Sequence, residues 1–161
     1  MTVEMRVKLK KGIRRLIEEA GGKTRGIQAA EAHARLGNPD TLFIDVRDVR
    51  ELQRDGMIPG AFHAPRGMLE FWVDPDSPYY KPVFAEGTTF ILYCAADWRA
   101  TLAAATLAEM GVPNVYRLEG GLNGWKKEGR PWSPRQQKNL TGDEARDGAP
   151  ACQDQVAPGL K

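Results

Sequence analysis

The sequence has few of the residues that build disulfide frameworks and metal centres: two cysteines and two histidines in 161 residues. Cys94 and Cys152 are too few for a disulfide framework. His33 and His63 stand alone, with no Cys/His cluster at zinc-ligand spacing. We therefore expect no metal and no organic cofactor. A lone thiol stays reactive in a reducing compartment, so the expected location is the cytoplasm.

Long apolar runs and a strong net charge are also lacking. No run approaches the roughly 20 residues that a membrane span needs, and the N-terminus lacks the apolar run and cleavage site of a signal peptide. The formal net charge is only +2, which gives no reason to expect a nucleic-acid partner. Basic residues are concentrated in one place, residues 1–25, with eight basic groups against three acidic ones.

The basic N-terminal segment has an apolar face. Leu9, Ile13, Leu16 and Ile17 recur at helical spacing, which predicts a helix over 3–20. Residues 1–24 are thus expected to form a basic amphipathic helix that packs its apolar face on the domain. The alternative is contact with an anionic membrane surface or an acidic partner.

Between residues 25 and 132, short apolar runs alternate with helical patterns. Alternation of this kind predicts an α/β domain with a parallel sheet. Residues 133–161 have few large apolar side chains and are predicted to form a disordered tail, which contains Cys152. The predicted strands are 42–46, 61–64, 90–93 and 115–118, and the predicted helices are 28–36, 49–54, 68–73, 100–110 and 122–127.

The segment with the clearest chemistry is the junction after strand 90–93, where the chain reaches Cys94 and then a helix that begins near Arg99 or Ala100. A loop of this kind lies at the carboxyl edge of a parallel sheet, where ligands bind. Its amides and the helix N-terminus favour negative charge, and therefore the nucleophilic thiolate. Arg99 adds a positive charge that can neutralise the thiolate or bind an anionic substrate. A persulfide on Cys94 suits the same amides.

Four motifs in this order resemble the single-domain rhodanese superfamily. They are LFIDVRDVREL, GMIPGAFHAP, FILYC-x4-R and VYRLEGGLNGWKKEGRPW, and the resemblance covers about residues 25–132. It implies a parallel five-stranded sheet flanked by helices on both faces. It also implies a sulfurtransferase that moves sulfane sulfur from a small anionic donor such as thiosulfate. The acceptor would be a thiol, cyanide or a protein, and the sulfur would pass through a Cys94 persulfide.

The resemblance also assigns roles to residues. Cys94 matches the sulfur-carrying cysteine, and Arg99 supplies the catalytic positive charge. The loop that would bind substrate comprises Ala95, Ala96, Asp97, Trp98 and Ala100. Other matches are structural: a bracing group of Asp45, Arg47 and Glu51, and the turn and helix with Gly120, Gly121 and Trp125. Cys94 to Arg99 spans six residues; related dual-specificity phosphatases have one more, so the length favours sulfur over phosphate or arsenate.

Two loop residues depart from the family pattern. Asp97 stands where many active members have glycine, and its carboxylate would disfavour a dianion such as thiosulfate unless it points away or is paired. Trp98 is large for its place and could roof the pocket. These departures keep a second function open, a rhodanese-like binding or regulatory module with little turnover.

Overall fold

The computed structural model describes residues 5–135, and its framework is one parallel sheet of five strands. The strand order is β1-β5-β4-β2-β3, so β4 occupies the centre. Four strands lie where the apolar runs predict them, and the expected fold class is confirmed. The strands are β1 Arg25–Ile27, β2 Thr41–Asp45, β3 Phe62–His63, β4 Thr89–Tyr93 and β5 Val115–Leu118.

Helices cover both faces of this sheet, as the side-chain alternation of β4 illustrates. Leu92 packs into one core cluster with residues of α4 and α5, whereas Ile91 and Tyr93 pack into a second cluster with residues of α2 and α6. Successive strand residues point to opposite faces, so a run without polar residues fits only a sheet covered twice. The helices are α1 Ile13–Gly22, α2 Ala29–Ala34, α3 Val49–Asp55, α4 Leu69–Val73, α5 Trp98–Glu109 and α6 Gly121–Lys127.

Trp125 of α6 fastens the C-terminal part of the domain. Its side chain is fully buried, and its ring lies edge-on to Phe43, with 5.9 Å between the centroids. Its Nε1 donates to the Pro131 carbonyl at 2.7 Å. Ser133 then exchanges two backbone hydrogen bonds with Met57. This isolated backbone bridge lies one residue past the domain boundary predicted at 132. The predicted tail from residue 136 on, with Cys152, lies outside the described residues.

The prediction of one helix over 3–20 is wrong. Residues 5–12 are not helical, and α1 begins only at Ile13, after Gly12. Met5, Val7 and Leu9 alternate with basic residues, which is a period of two rather than 3.6. They are 94%, 84% and 69% exposed. The helical part lies against α5 and buries Ala20. Among the described residues, no helix is long and apolar enough to cross a bilayer.

Candidate active site

Cys94 follows directly after β4, the central strand, and only 2% of it is exposed. The chain after β2 runs alongside the end of β4, where the Val46 amide donates to the Tyr93 carbonyl at 3.0 Å. The thiol therefore stands at the carboxyl edge of the sheet, where loops of α/β proteins bind ligands. In this structure Cys94 is thus nearly closed to solvent.

The loop after Cys94 turns its carbonyls toward the N-terminus of α6. The Leu122 amide donates to the Cys94 carbonyl at 2.9 Å, and the Asn123 amide donates to the Ala95 carbonyl at 3.0 Å. The first amides of a helix have no partner inside the helix, so α6 supplies free donors at this place. These bonds fix the orientation of the loop peptides.

Gly121 permits this close approach. Its φ is +59°, and a Cβ built there would lie 2.3 Å from the Ala96 carbonyl oxygen, 2.6 Å from that of Cys94 and 2.8 Å from that of Ala95. No side chain fits in that space. The family resemblance placed Gly121 in a turn. Its close approach to the loop after Cys94 is visible only in the structure.

The loop amides consequently point away from α6. In a planar trans peptide the C=O and the following N–H point in opposite directions, so the amides of Ala95, Ala96 and Asp97 lie opposite the three carbonyls. Helix α5 begins at Trp98 without a side-chain cap, and its first backbone bond runs from the Thr101 amide to the Asp97 carbonyl. Within residues 5–135, the six amides of 95–100 donate to no backbone carbonyl. They form a cradle of free donors suited to an anion.

Arg99 lies in the first turn of α5, next to the loop, and its guanidinium forms an ion pair with Glu51. Its Nη1 and Nη2 donate to the Glu51 carboxylate at 2.6 and 2.8 Å. This hydrogen-bonded pair lowers the pKa of Glu51 to about 2. The pKa of Arg99 is raised first by Glu51 and to a smaller extent by the nearby Cys94. Glu51 also accepts from the Asp48 amide at 3.0 Å, which closes the capping box of α3. The bracing Glu51 thus holds Arg99 at the loop.

Asp97 is paired, which removes the expected conflict with an anionic donor. Its Oδ2 accepts from Arg117 Nη1 at 2.7 Å, and its Oδ1 accepts from Thr101 Oγ1 at 3.2 Å. Sequence reasoning missed Arg117. Its only signal is a basic residue inside a strand of an otherwise apolar sheet, which needs a partner when partly buried.

The remaining predicted loop residues differ in what they expose. Trp98, the first residue of α5, is 50% exposed, so its indole is available at the surface. Ala100 is fully buried in the core cluster that contains Cys94. Its side chain packs inward, so only the backbone amide of Ala100 is available to a bound anion, and its assignment to the substrate-binding loop stays a prediction.

A buried ion pair braces the strand beside the loop. Asp45 at the end of β2 accepts from Arg47 Nε at 2.9 Å and Nη2 at 2.6 Å. Arg47 Nη2 also donates to the Gly56 carbonyl at 2.6 Å. Tyr93, the residue before Cys94, accepts a bond from the Ile58 amide through its hydroxyl, and burial raises its pKa well above the usual value. Among residues 5–135, no group of three His, Cys, Asp or Glu side chains is placed to hold a metal.

Comparison with known proteins agrees with this architecture. Residues 28–128 match the family model described as Rhodanese-like domain. The chain belongs to the rhodanese-like domain family. It is 45% identical over 90 residues to the uncharacterized protein slr1261 of Synechocystis, an alignment that covers 56% of this chain and 45% of the relative. Several other curated relatives are named tRNA uridine(34) hydroxylase, and the alignments cover only 29% to 30% of them. The rhodanese-like chain thus spans less than half the length of these relatives.

Two solved structures show the same domain. A protein of unknown function from Rhodopseudomonas palustris, described as a possible tyrosine phosphatase, has a TM-score of 0.77 and 43% identity; the match covers 80% of this chain and 99% of that one. The polysulfide-sulfur transferase homodimer of Wolinella succinogenes has a TM-score of 0.57 and 30% identity, over 76% and 88% of the two chains. The family therefore includes a named sulfurtransferase.

Proposed function

We propose that this rhodanese-like domain is a sulfurtransferase that carries sulfane sulfur on Cys94. The observation that carries the proposal is the run of six amides, 95–100, that directly follows the cysteine at the end of the central strand and donates to no backbone carbonyl within residues 5–135. A persulfide is an anion, and backbone donors held in place stabilise it without reorganisation. The Wolinella relative, a polysulfide-sulfur transferase by name, supports the same chemistry.

The reaction consists of two displacements at sulfur. The Cys94 thiolate attacks the outer sulfur of thiosulfate, an S–S bond forms, and the original S–S bond breaks as sulfite leaves with its electron pair. An acceptor such as cyanide, a thiol or a protein thiolate then attacks the outer sulfur of the persulfide. The bond to Cys94 breaks and the thiolate returns, so no external oxidant or reductant takes part.

Burial of Cys94 also favours sulfur over a phosphoryl group. With 2% of the residue exposed, a terminal sulfur can reach it more readily than a tetrahedral phosphorus surrounded by oxygens. Arg99 bonds Glu51 through both Nη atoms, whereas clamping a phosphate would need that same fork. The phosphatase description of the Rhodopseudomonas relative nevertheless makes phosphate the comparison to run.

The test is formation of thiocyanate from thiosulfate and cyanide by the purified protein, with Cys94→Ser as the matched control. We expect turnover that the variant lacks, and a mass increase of one sulfur on Cys94 after incubation with thiosulfate alone. Hydrolysis of p-nitrophenyl phosphate without thiocyanate formation would overturn the proposal in favour of a phosphatase.

The second candidate is a rhodanese-like binding or regulatory module. The pairing of Arg99 with Glu51 and of Arg117 with Asp97 favours it, because neither arginine is left to attract a substrate. Reactivity of the thiol separates the two functions. A sulfurtransferase should react with iodoacetamide at Cys94 at neutral pH much faster than a free cysteine does, whereas a binding module has no such need.

A further inference from the structure

Asp97 places a negative charge inside the loop that would receive an anionic donor. Two residues separate it from Cys94, so the two Cα atoms lie within about 10 Å of each other. The positive charge nearest to the thiol in sequence, Arg99, is matched by Glu51. Without a further cation, the carboxylate of Asp97 would leave the loop with uncompensated negative charge.

Arg117 provides that cation from a neighbouring strand. It lies on β5, where its backbone pairs in register with Leu92 of β4. Its Nη1 holds Asp97 Oδ2 at 2.7 Å, and its Nε donates to Thr24 Oγ1 at 3.1 Å. The side chain of Arg117 is 19% exposed. The guanidinium is thus fixed at both ends, between the loop and the segment after α1.

Thr101 completes the hold on the carboxylate. Its Oγ1 donates to the Asp97 carbonyl at 3.0 Å and lies 3.2 Å from Asp97 Oδ1. Oδ2 thus takes a full hydrogen bond from Arg117, Oδ1 lies within reach of the shared Thr101 hydroxyl proton, and the carboxylate is held outside the cradle. The side chain does not compete with a donor anion for the free amides of 95–100.

We propose that Arg117 is a positioning residue that holds the Asp97 carboxylate against β5 and thereby sets which donor charge the loop accepts. The inference rests on the proposed sulfurtransferase function. With Arg117 in place the loop accepts a dianionic donor such as thiosulfate. Without it, the Asp97 charge repels anionic donors in proportion to their charge.

The size of the effect follows from Coulomb's law. An unpaired charge about 10 Å from a dianion, at an effective dielectric constant of about 50, weakens binding roughly tenfold. A monoanion feels half the energy, which corresponds to roughly threefold. Thiosulfate and benzenethiosulfonate provide this pair, since each delivers its outer sulfur to a thiolate and releases sulfite or benzenesulfinate.

The experiment compares Arg117→Met, Arg117→Lys and the double variant Arg117→Met/Asp97→Asn with the unaltered protein. In Arg117→Met we expect KM to rise about tenfold for thiosulfate and about threefold for benzenethiosulfonate, with kcat changed less than about twofold. The double variant should restore both KM values because the unpaired charge is gone. Lysine should restore most of the thiosulfate KM.

The contrary outcomes are distinct. Unchanged KM values in Arg117→Met would overturn the inference. So would an equal loss of kcat with both donors that Asp97→Asn does not rescue, because that is the behaviour of a purely structural residue. Circular dichroism of each variant reports whether it folds, and Arg117→Lys keeps the test valid if the methionine variant does not. Absence of a Cys94 persulfide in the unaltered protein would instead refute the proposed function itself, and this inference with it.

Discussion

Two adjacent glycines at the start of α6 allow a controlled test of the cysteine loop. Gly120 and Gly121 both have positive φ, +77° and +59°, so alanine at either position meets the same left-handed backbone, which costs about 1–2 kcal/mol. A Cβ on Gly120 would meet only the Gly124 Cα at 3.5 Å, an ordinary contact. A Cβ on Gly121 would meet the Ala96 carbonyl oxygen at 2.3 Å. Gly120→Ala is therefore the matched control for Gly121→Ala.

The extra cost at Gly121 falls on the loop itself. To restore a normal contact, the Ala96 oxygen has to retreat by roughly 1 Å, and a displacement of that size at a reacting centre can cost about a hundredfold in rate. We expect Gly120→Ala to lose about 1–2 kcal/mol of unfolding free energy and to keep kcat/KM within about threefold. Gly121→Ala should lose about 2–4 kcal/mol and about a hundredfold in kcat/KM.

Three measurements check this expectation at a temperature where both variants are folded. They are denaturant unfolding, thiocyanate formation, and the rate of iodoacetamide reaction at Cys94, which requires no sulfur donor. If Gly121→Ala kept the activity and thiol reactivity of Gly120→Ala, the contact between α6 and the loop would not position the amides. An equal, large loss in both variants would place the effect in backbone strain instead.

Other parts of the structure give further expectations. Pairing with Arg99 lowers the folded-state pKa of Glu51 to about 2. The pair therefore contributes about 1–3 kcal/mol to the unfolding free energy above pH 4.5, and this contribution is lost as pH falls toward 2. The difference in unfolding free energy between the unaltered protein and Glu51→Gln should accordingly shrink between pH 6 and pH 3. Arg47→Leu should lower the unfolding free energy by about 3–5 kcal/mol, because it leaves the buried carboxylate of Asp45 without its partner. As the control, Arg54→Ala breaks the exposed pair with Asp55 and should leave the denaturation midpoint unchanged. A chain that begins at Lys11 keeps the Lys11–Glu19 ion pair and should unfold at the same midpoint as the full chain, because the apolar side chains removed with residues 5–10 are exposed. A lower midpoint would show that the segment contributes to the domain.

The sheet was predictable because its strands are buried on both faces. The runs that became β2 and β4 have no polar residue between Leu42 and Ile44 or between Phe90 and Leu92, and only a doubly covered strand of that length tolerates this. β1 escaped prediction because Arg25–Ile27 has three residues and only Ile27 is buried. At an edge, pairing with one neighbour is enough to make a strand.

The charged contacts of the site were not predictable from order along the chain. Arg99 meets Glu51 across 48 positions, and Arg117 meets Asp97 across 20. The family resemblance identified Glu51 as a bracing residue, and the loop sequence identified Asp97 as a conflicting charge, but neither indicated which arginine the carboxylate meets. The failed N-terminal helix has a simpler cause: Lys8, Lys10 and Lys11 add like charges just before Gly12, which ends any helical continuation.

Under the proposed sulfurtransferase function, the two ion pairs bear on which groups at the site would bind an anion. Each arginine beside the loop has a carboxylate partner, so their charges largely cancel at the distance of a substrate. The free donors are the backbone amides of 95–100, whose direction is set by the carbonyl contacts with α6. In the proposed reaction, such amides would attract an anion without a full charge and would hold the terminal sulfur of a persulfide without binding a dianionic product tightly. Under this proposal the two arginines support the loop, and the backbone amides bind the anion.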